Sequence, residues 1–179
     1  MKIVLTAAAA AGVLLCVQIA RADNCGVLED AMDKMATSTT RMHIERAGAH
    51  QGAAADRMAD VIMSGDKMYV QVQGAWHSMP RTDFSQMKAK LEAARASKQV
   101  ACEQLSDETL GGRAASVYHV TDNSDGGRKT DVKVWLAKNN GLPLRVDSSD
   151  RMSITYDYDN IQVPANAQPI GVPQPHSGG

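Results

Sequence analysis

The feature that most constrains this chain is a series of short segments alternating apolar and polar residues with a period of two. The cleanest is 152–158, where Met152, Ile154, Tyr156 and Tyr158 share one face and Ser153, Thr155 and Asp157 the other. Met42 and Ile44 alternate with Arg41, His43 and Glu45, and Met68, Val70 and Val72 with Tyr69, Gln71 and Gln73. Further strands are expected near 57–63, 75–79, 99–104, 115–121, 130–137 and 142–147. Ser64-Gly65-Asp66 and Gln73-Gly74 are turn signals. Asn140-Gly141 is the strongest, because a type I′ hairpin turn needs positive φ at both central residues. Strands that follow one another through tight turns pair antiparallel, since a parallel pair needs a long crossover. The predicted fold class is therefore mainly β (α+β), with a strongly curved antiparallel sheet that buries one face on a core or encloses a cavity.

Two helices accompany the strands. Asp23 or Asn24 can cap the first, which puts Val27, Leu28, Ala31, Met32 and Met35 on one side. Pro80 ends a strand, and Thr82-Asp83 opens a second helix over 82–97 with a stripe of Phe84, Met87, Leu91 and Ala94. That stripe needs an apolar surface to cover. The helix is expected to be a lid over the mouth of the sheet, a permanent plug being the alternative.

The first 22 residues carry the marks of an export signal. Lys2 gives a positive start, Ile3 to Ala20 is an apolar run, and Ala20-Arg21-Ala22 has the small-x-small form of a cleavage site, placing the mature N-terminus at Asp23. Lipoprotein processing at Cys16 is disfavoured by Leu15 before it. The expected address is the periplasm, with no transmembrane segment after cleavage. Two cysteines then remain, Cys25 and Cys102, in a compartment where disulfides persist. A Cys25–Cys102 disulfide is expected, and two buried free thiols are the other reading. The last residues, 165–179, rich in proline and ending in Ser-Gly-Gly, are expected to be a disordered tail.

Composition and motif searches narrow the function. With 19 Lys+Arg against 20 Asp+Glu, the chain lacks the basic footprint of a nucleic-acid binder. His43, His50, His77, His119 and His176 show no metal-ligand spacing, so no metal and no cofactor is expected. Asp122-Asn123-Ser124-Asp125-Gly126-Gly127 lacks the ligand pattern of a calcium loop. There is no nucleophile elbow, P-loop or dinucleotide fingerprint, and Asp157 and Asp159 read as solubilising carboxylates. The expectation is a protein that is not an enzyme.

Four ordered segments carry a resemblance. They are Gly65-Asp66-Lys67-Met68-Tyr69-Val70 through Gly74-Ala75-Trp76 to Met79-Pro80; Cys102-Glu103-Gln104-Leu105 through Gly111-Gly112-Arg113 to Val117-Tyr118; Val134-Trp135-Leu136-Ala137 with Asn140-Gly141-Leu142-Pro143-Leu144-Arg145; and Tyr156-Asp157-Tyr158-Asp159-Asn160 to Pro164. Together they resemble the periplasmic lipoprotein-carrier superfamily, which includes LolA-like and LolB-like carriers, the RseB sensor domain and LppX-type lipoproteins. The resemblance implies an open half-barrel over 23–164 with a helical lid and an interior that accepts acyl chains.

Met42, Met58, Met63, Met68, Met79 and Met87 suit such an interior, because thioether side chains adapt to irregular apolar contents; they suit an ordinary core equally. The cavity is expected to draw on Met42, Ile44, Met63, Val70, Trp76, Phe84, Met87, Leu91, Tyr118, Trp135, Leu144, Ile154 and Tyr156. The expected partner is a lipid or lipoprotein acyl chain. An envelope interaction or stress-sensing module, with a self-filled barrel and a protein partner, is the second reading.

Overall fold

The computed structural model describes residues 24–46, 56–81, 83–125 and 128–170. The export signal, Cys16 and the proposed cleavage site lie outside the described residues, as does Asp23. The elements are α1 (Cys25–Thr37), β1 (Thr40–Arg46), β2 (Asp56–Ser64), β3 (Lys67–Val72), β4 (Ala75–Pro80), α2 (Phe84–Ala96), β5 (Val100–Gln104), β6 (Glu108–Leu110), β7 (Arg113–Asp125), β8 (Arg128–Ala137), β9 (Pro143–Ser148), β10 (Met152–Asp157) and β11 (Gln168–Pro169). All the strands join one open sheet in the order β11-β4-β3-β2-β1-β10-β9-β8-β7-β5, with β6 paired to β7. Every pairing is antiparallel except β11 with β4. The mainly β class predicted from the period-two pattern is the observed one.

Register sorts the side chains into two faces, because residues directly opposite each other in a ladder point the same way. One face runs through Cys102, Val120, Tyr118, Val134, Val146, Ile154, Met42, Val61, Val70 and His77. Helix α1 lies on it. Leu28 and Ala31 pack on Tyr118, Val134 and Leu136, while Met35 packs on Met63 and Tyr156. Curvature follows from these contacts. Cys25 is bonded to Cys102 on β5 and Met35 touches Met63 on β2, yet ten residues of helix rise only about 15 Å. Between β5 and β2 lie six inter-strand steps of about 4.8 Å, an arc of about 29 Å, so the sheet bends around the helix.

The turns correct one expectation. Asn140-Gly141 is not a type I′ turn: Gly141 has φ 73° but Asn140 is not in the positive region. The register shifts between Trp135 and Leu136, leaving Leu144 of β9 without an opposite residue, and the Asn140 side chain accepts from the Leu142 amide at 3.0 Å. Two two-residue turns among the described residues have both φ positive: Gln73-Gly74, at 50° and 84°, joining Val72 directly opposite Ala75, and Gly111-Gly112, at 56° and 79°, joining Leu110 opposite Arg113.

The helices and tail bring further corrections. Asn24 makes no side-chain cap, whereas Asp83 caps α2 by accepting from the Ser85 amide at 2.9 Å. The sheet is covered mainly by α1, not by α2. Helix α2 lies beside α1, joined by Lys88–Asp33 at 2.6 Å and Arg95–Glu29 at 2.8 Å, and only Ala94 of its residues is fully buried. Its stripe splits: Phe84 joins the Met35 cluster, Leu91 and Ala94 join Cys25 and Val100, and Met87 is 46% exposed. Finally, residues 165–170, expected to be disordered, are ordered. Gln168–Pro169 add a parallel strand to β4, and the Ile170 amide donates to the Ser78 carbonyl at 2.9 Å.

Candidate functional site

The helix-covered face divides into two parts. On β7, β8 and β9 the residues are Tyr118, Val134 and Leu136, all under 10% exposed, with Val120, Val132 and Val146 around them. On β1, β3 and β4 they are Met42, Ile44, Met68, Val70 and Met79, none fully buried, and Val72 is 47% exposed. Methionine thus gathers on the half that α1 leaves incompletely covered. Where the halves meet, Met35, Met63 and Tyr156 form a buried cluster flanked by Met42, Met68, Phe84, Ile154 and Tyr158.

Two buried oxygens in this zone, Thr40 Oγ1 and Tyr158 Oη, have no hydrogen-bond partner among the described residues. Extending the β1–β10 register by one residue sets them on neighbouring strands. Burial pushes the Tyr156 phenol up to about 12. It raises Tyr158 as well, aided by Tyr156 and opposed by Arg113. Both phenols stay neutral hydrogen-bonding groups inside an otherwise apolar surface.

Arg81, at the end of β4, ties this zone together. Its guanidinium donates to the Met35 carbonyl at 2.6 Å, in the last turn of α1, and to the Gly65 carbonyl at 3.1 Å. A cation at a helix C-terminus opposes the negative end of the dipole, and the same group lies 5.6 Å from the Phe84 ring. Sequence reading passed over Arg81 because a lone arginine after a Pro carries no periodic signal.

The expected cavity residues do not form one group. Met42, Ile44, Met63, Val70, Tyr118, Ile154 and Tyr156 share the helix-covered face with Phe84 and Leu91 nearby. Trp135 and Leu144 lie on the opposite face, in a cluster with Ala115, Val117 and Ala137. There the Trp135 indole donates to Glu108 at 2.7 Å beneath Lys133 and Arg145, and the Lys133 and Trp135 hydrogen bonds hold the Glu108 carboxyl below its usual range. Trp76 also faces that side, opposite Gln71. Cys25 and Cys102 are joined as a disulfide spanning 77 residues, which fixes the start of α1 to β5.

Among the described residues there is no group of three or more side chains that could hold a metal ion, and no helix is long and apolar enough to cross a membrane.

No family model matches the sequence, and no curated protein is significantly similar to it. Solved structures similar to this one include the lipoprotein LppX of Mycobacterium tuberculosis, at 12% identity and TM-score 0.43 over 79% of this chain and 100% of that one. MucB matches at 15% identity and TM-score 0.46 over 82% of this chain, which spans 65% of MucB, less than two thirds of its length. A LolA superfamily protein of Nitrosomonas europaea matches at 13% identity and TM-score 0.29 over 79% of this chain and 95% of that one.

Proposed function

We propose that this is an exported periplasmic protein that binds an acyl chain, of a lipid or a lipoprotein, on the helix-covered face of its sheet, without catalysis. The observation that carries this reading is the half-covered methionine strip formed by Met42, Met68 and Met79 with Ile44, Val70 and Val72. Apolar side chains left partly open to water, here on either side of the buried Val61 and Met63 of β2, are unfavourable unless something apolar covers them. Thioether and aliphatic side chains suit a flexible hydrocarbon that has no fixed shape. Thr40 Oγ1 and Tyr158 Oη, unpartnered nearby, offer hydrogen bonds to the polar end of such a ligand. The test is titration with a fluorescent fatty-acid probe. Saturable binding that Val70→Asp weakens tenfold or more supports the reading, and a wild-type protein that binds no probe overturns it.

The sealed β7–β9 half favours the second reading, an envelope interaction or sensing module whose interior is filled by its own side chains. That reading expects no probe binding and a protein partner instead.

A further inference from the structure

The face away from the helices holds a hollow. After β10 the chain turns back across the sheet, and the stretch 160–167 runs over β1–β4 before β11 joins the edge of β4. Between this strap and the sheet lies a hollow of about 670 Å³ whose walls include Arg41, Gln71, Trp76, Gln162, Asn166 and Gln168. A smaller hollow of about 250 Å³ adjoins it through shared Arg41, Ile62 and Gln162, and adds Asp157 and Asp159. The larger volume falls within the range of about 300–1,000 Å³ usual for small-ligand sites.

The chemistry of the walls is specific. Ile62, 2% exposed, makes an apolar floor, and the half-buried Trp76, two strands away, lines the same hollow. Around them are amides, each able to donate and accept. Among the described residues the side-chain amides of Gln162, Asn166 and Gln168 make no hydrogen bond, and Gln71 makes only a long one, 3.4 Å to the Gly74 carbonyl.

Arg41, its side chain 39% exposed, pairs with a buried carboxylate. Its Nη2 lies 3.7 Å from Asp60, a carboxylate that is 5% exposed and also bonded to His43, whose other ring nitrogen is 3.3 Å from Asp157. Yet Arg41 Nε is buried with no hydrogen-bond partner, an unmet donor at the junction of the two hollows. With Asp60, Asp157 and Asp159 offsetting the single guanidinium, the site has no excess positive charge to attract an anion.

An indole and an apolar floor in one hollow, free amides and one unmet donor, without net positive charge, match a ring with C–H faces and a rim of hydroxyls. We infer that this hollow binds a neutral oligosaccharide, with a pyranose stacked on Trp76 and its hydroxyls bonded by Gln71, Gln162, Asn166 and Arg41. The inference is independent of acyl-chain binding, which uses the other face.

The test is calorimetric titration of the full chain with neutral tetrasaccharides, namely β-1,4-linked glucose, β-1,4-linked N-acetylglucosamine and α-1,4-linked glucose. The expected result is one-to-one binding of at least one of them at about 1 mM or tighter. Trp76→Ala and Gln162→Ala should each weaken it tenfold or more, while Trp135→Phe leaves it unchanged and fatty-acid probe binding is unaltered in Trp76→Ala. Absence of binding at about 10 mM across the set overturns the inference. So does binding indifferent to Trp76→Ala, or preferential capture of an extended peptide or a sulfated sugar.

Discussion

The two halves of the helix-covered face use different residues for the same geometric position. Over β7–β9 the inward side chains are valine, leucine and tyrosine, stiff shapes that close against Leu28 and Ala31 of α1. Over β1, β3 and β4 three of the six apolar ones are methionine, and all six remain part-exposed. Shape-specific packing closes the first half, whereas in the proposed function the adaptable side chains of the second accept contents that vary. The sheet is continuous through both, so the difference lies in side chains and helix cover, not in backbone architecture.

The largest expected effect tests this contrast directly. Val134→Asp buries a carboxylate without a partner and should cost about 4 kcal/mol or more, enough to prevent folding. Val70→Asp, on the open half, should cost about 1 kcal/mol while removing probe binding. Equal losses of thermal stability in the two variants would erase the distinction between the halves.

Replacing both Cys25 and Cys102 with alanine should cost about 2–5 kcal/mol in urea unfolding, because the bond closes a long loop and anchors α1 at the sealed end. Arg81→Met should cost about 1–3 kcal/mol, through loss of a charged donor to the last turn of α1. Amide exchange should then accelerate around Met35, at the open end, more than around Leu28.

The smallest effect is alkaline. Tyr156 ionises near 10 when unfolded and at about 12 when folded, so its stabilising contribution is complete below pH 10. It falls as pH rises from about 10 to about 12, because the unfolded chain releases the proton first. Between pH 9 and pH 11 the wild type should lose about 1 kcal/mol more stability than Tyr156→Phe does.

Much of this architecture was legible in the chain. The alternation over 152–158 predicted β10 and its faces, and the cysteine count predicted the Cys25–Cys102 pair. The face of Trp135 was not legible, because Val134-Trp135-Leu136-Ala137 is apolar on both sides and period two then carries no direction. Trp76 was misplaced for a related reason: its strand is short, and only register against Gln71 fixes its side. The tail lacked periodicity because residues 160–167 follow the sheet surface without strand pairing, and a two-residue strand is too short to leave a pattern.

The central claim is that the methionine-rich half holds an acyl chain. Its most direct test is mass spectrometry of lipids extracted from protein exported to a bacterial periplasm and purified without detergent, beside a Val70→Asp preparation. The account predicts acyl lipid near one equivalent in the wild type and little in the variant. Wild-type protein free of lipid, or equal lipid in both, would contradict it.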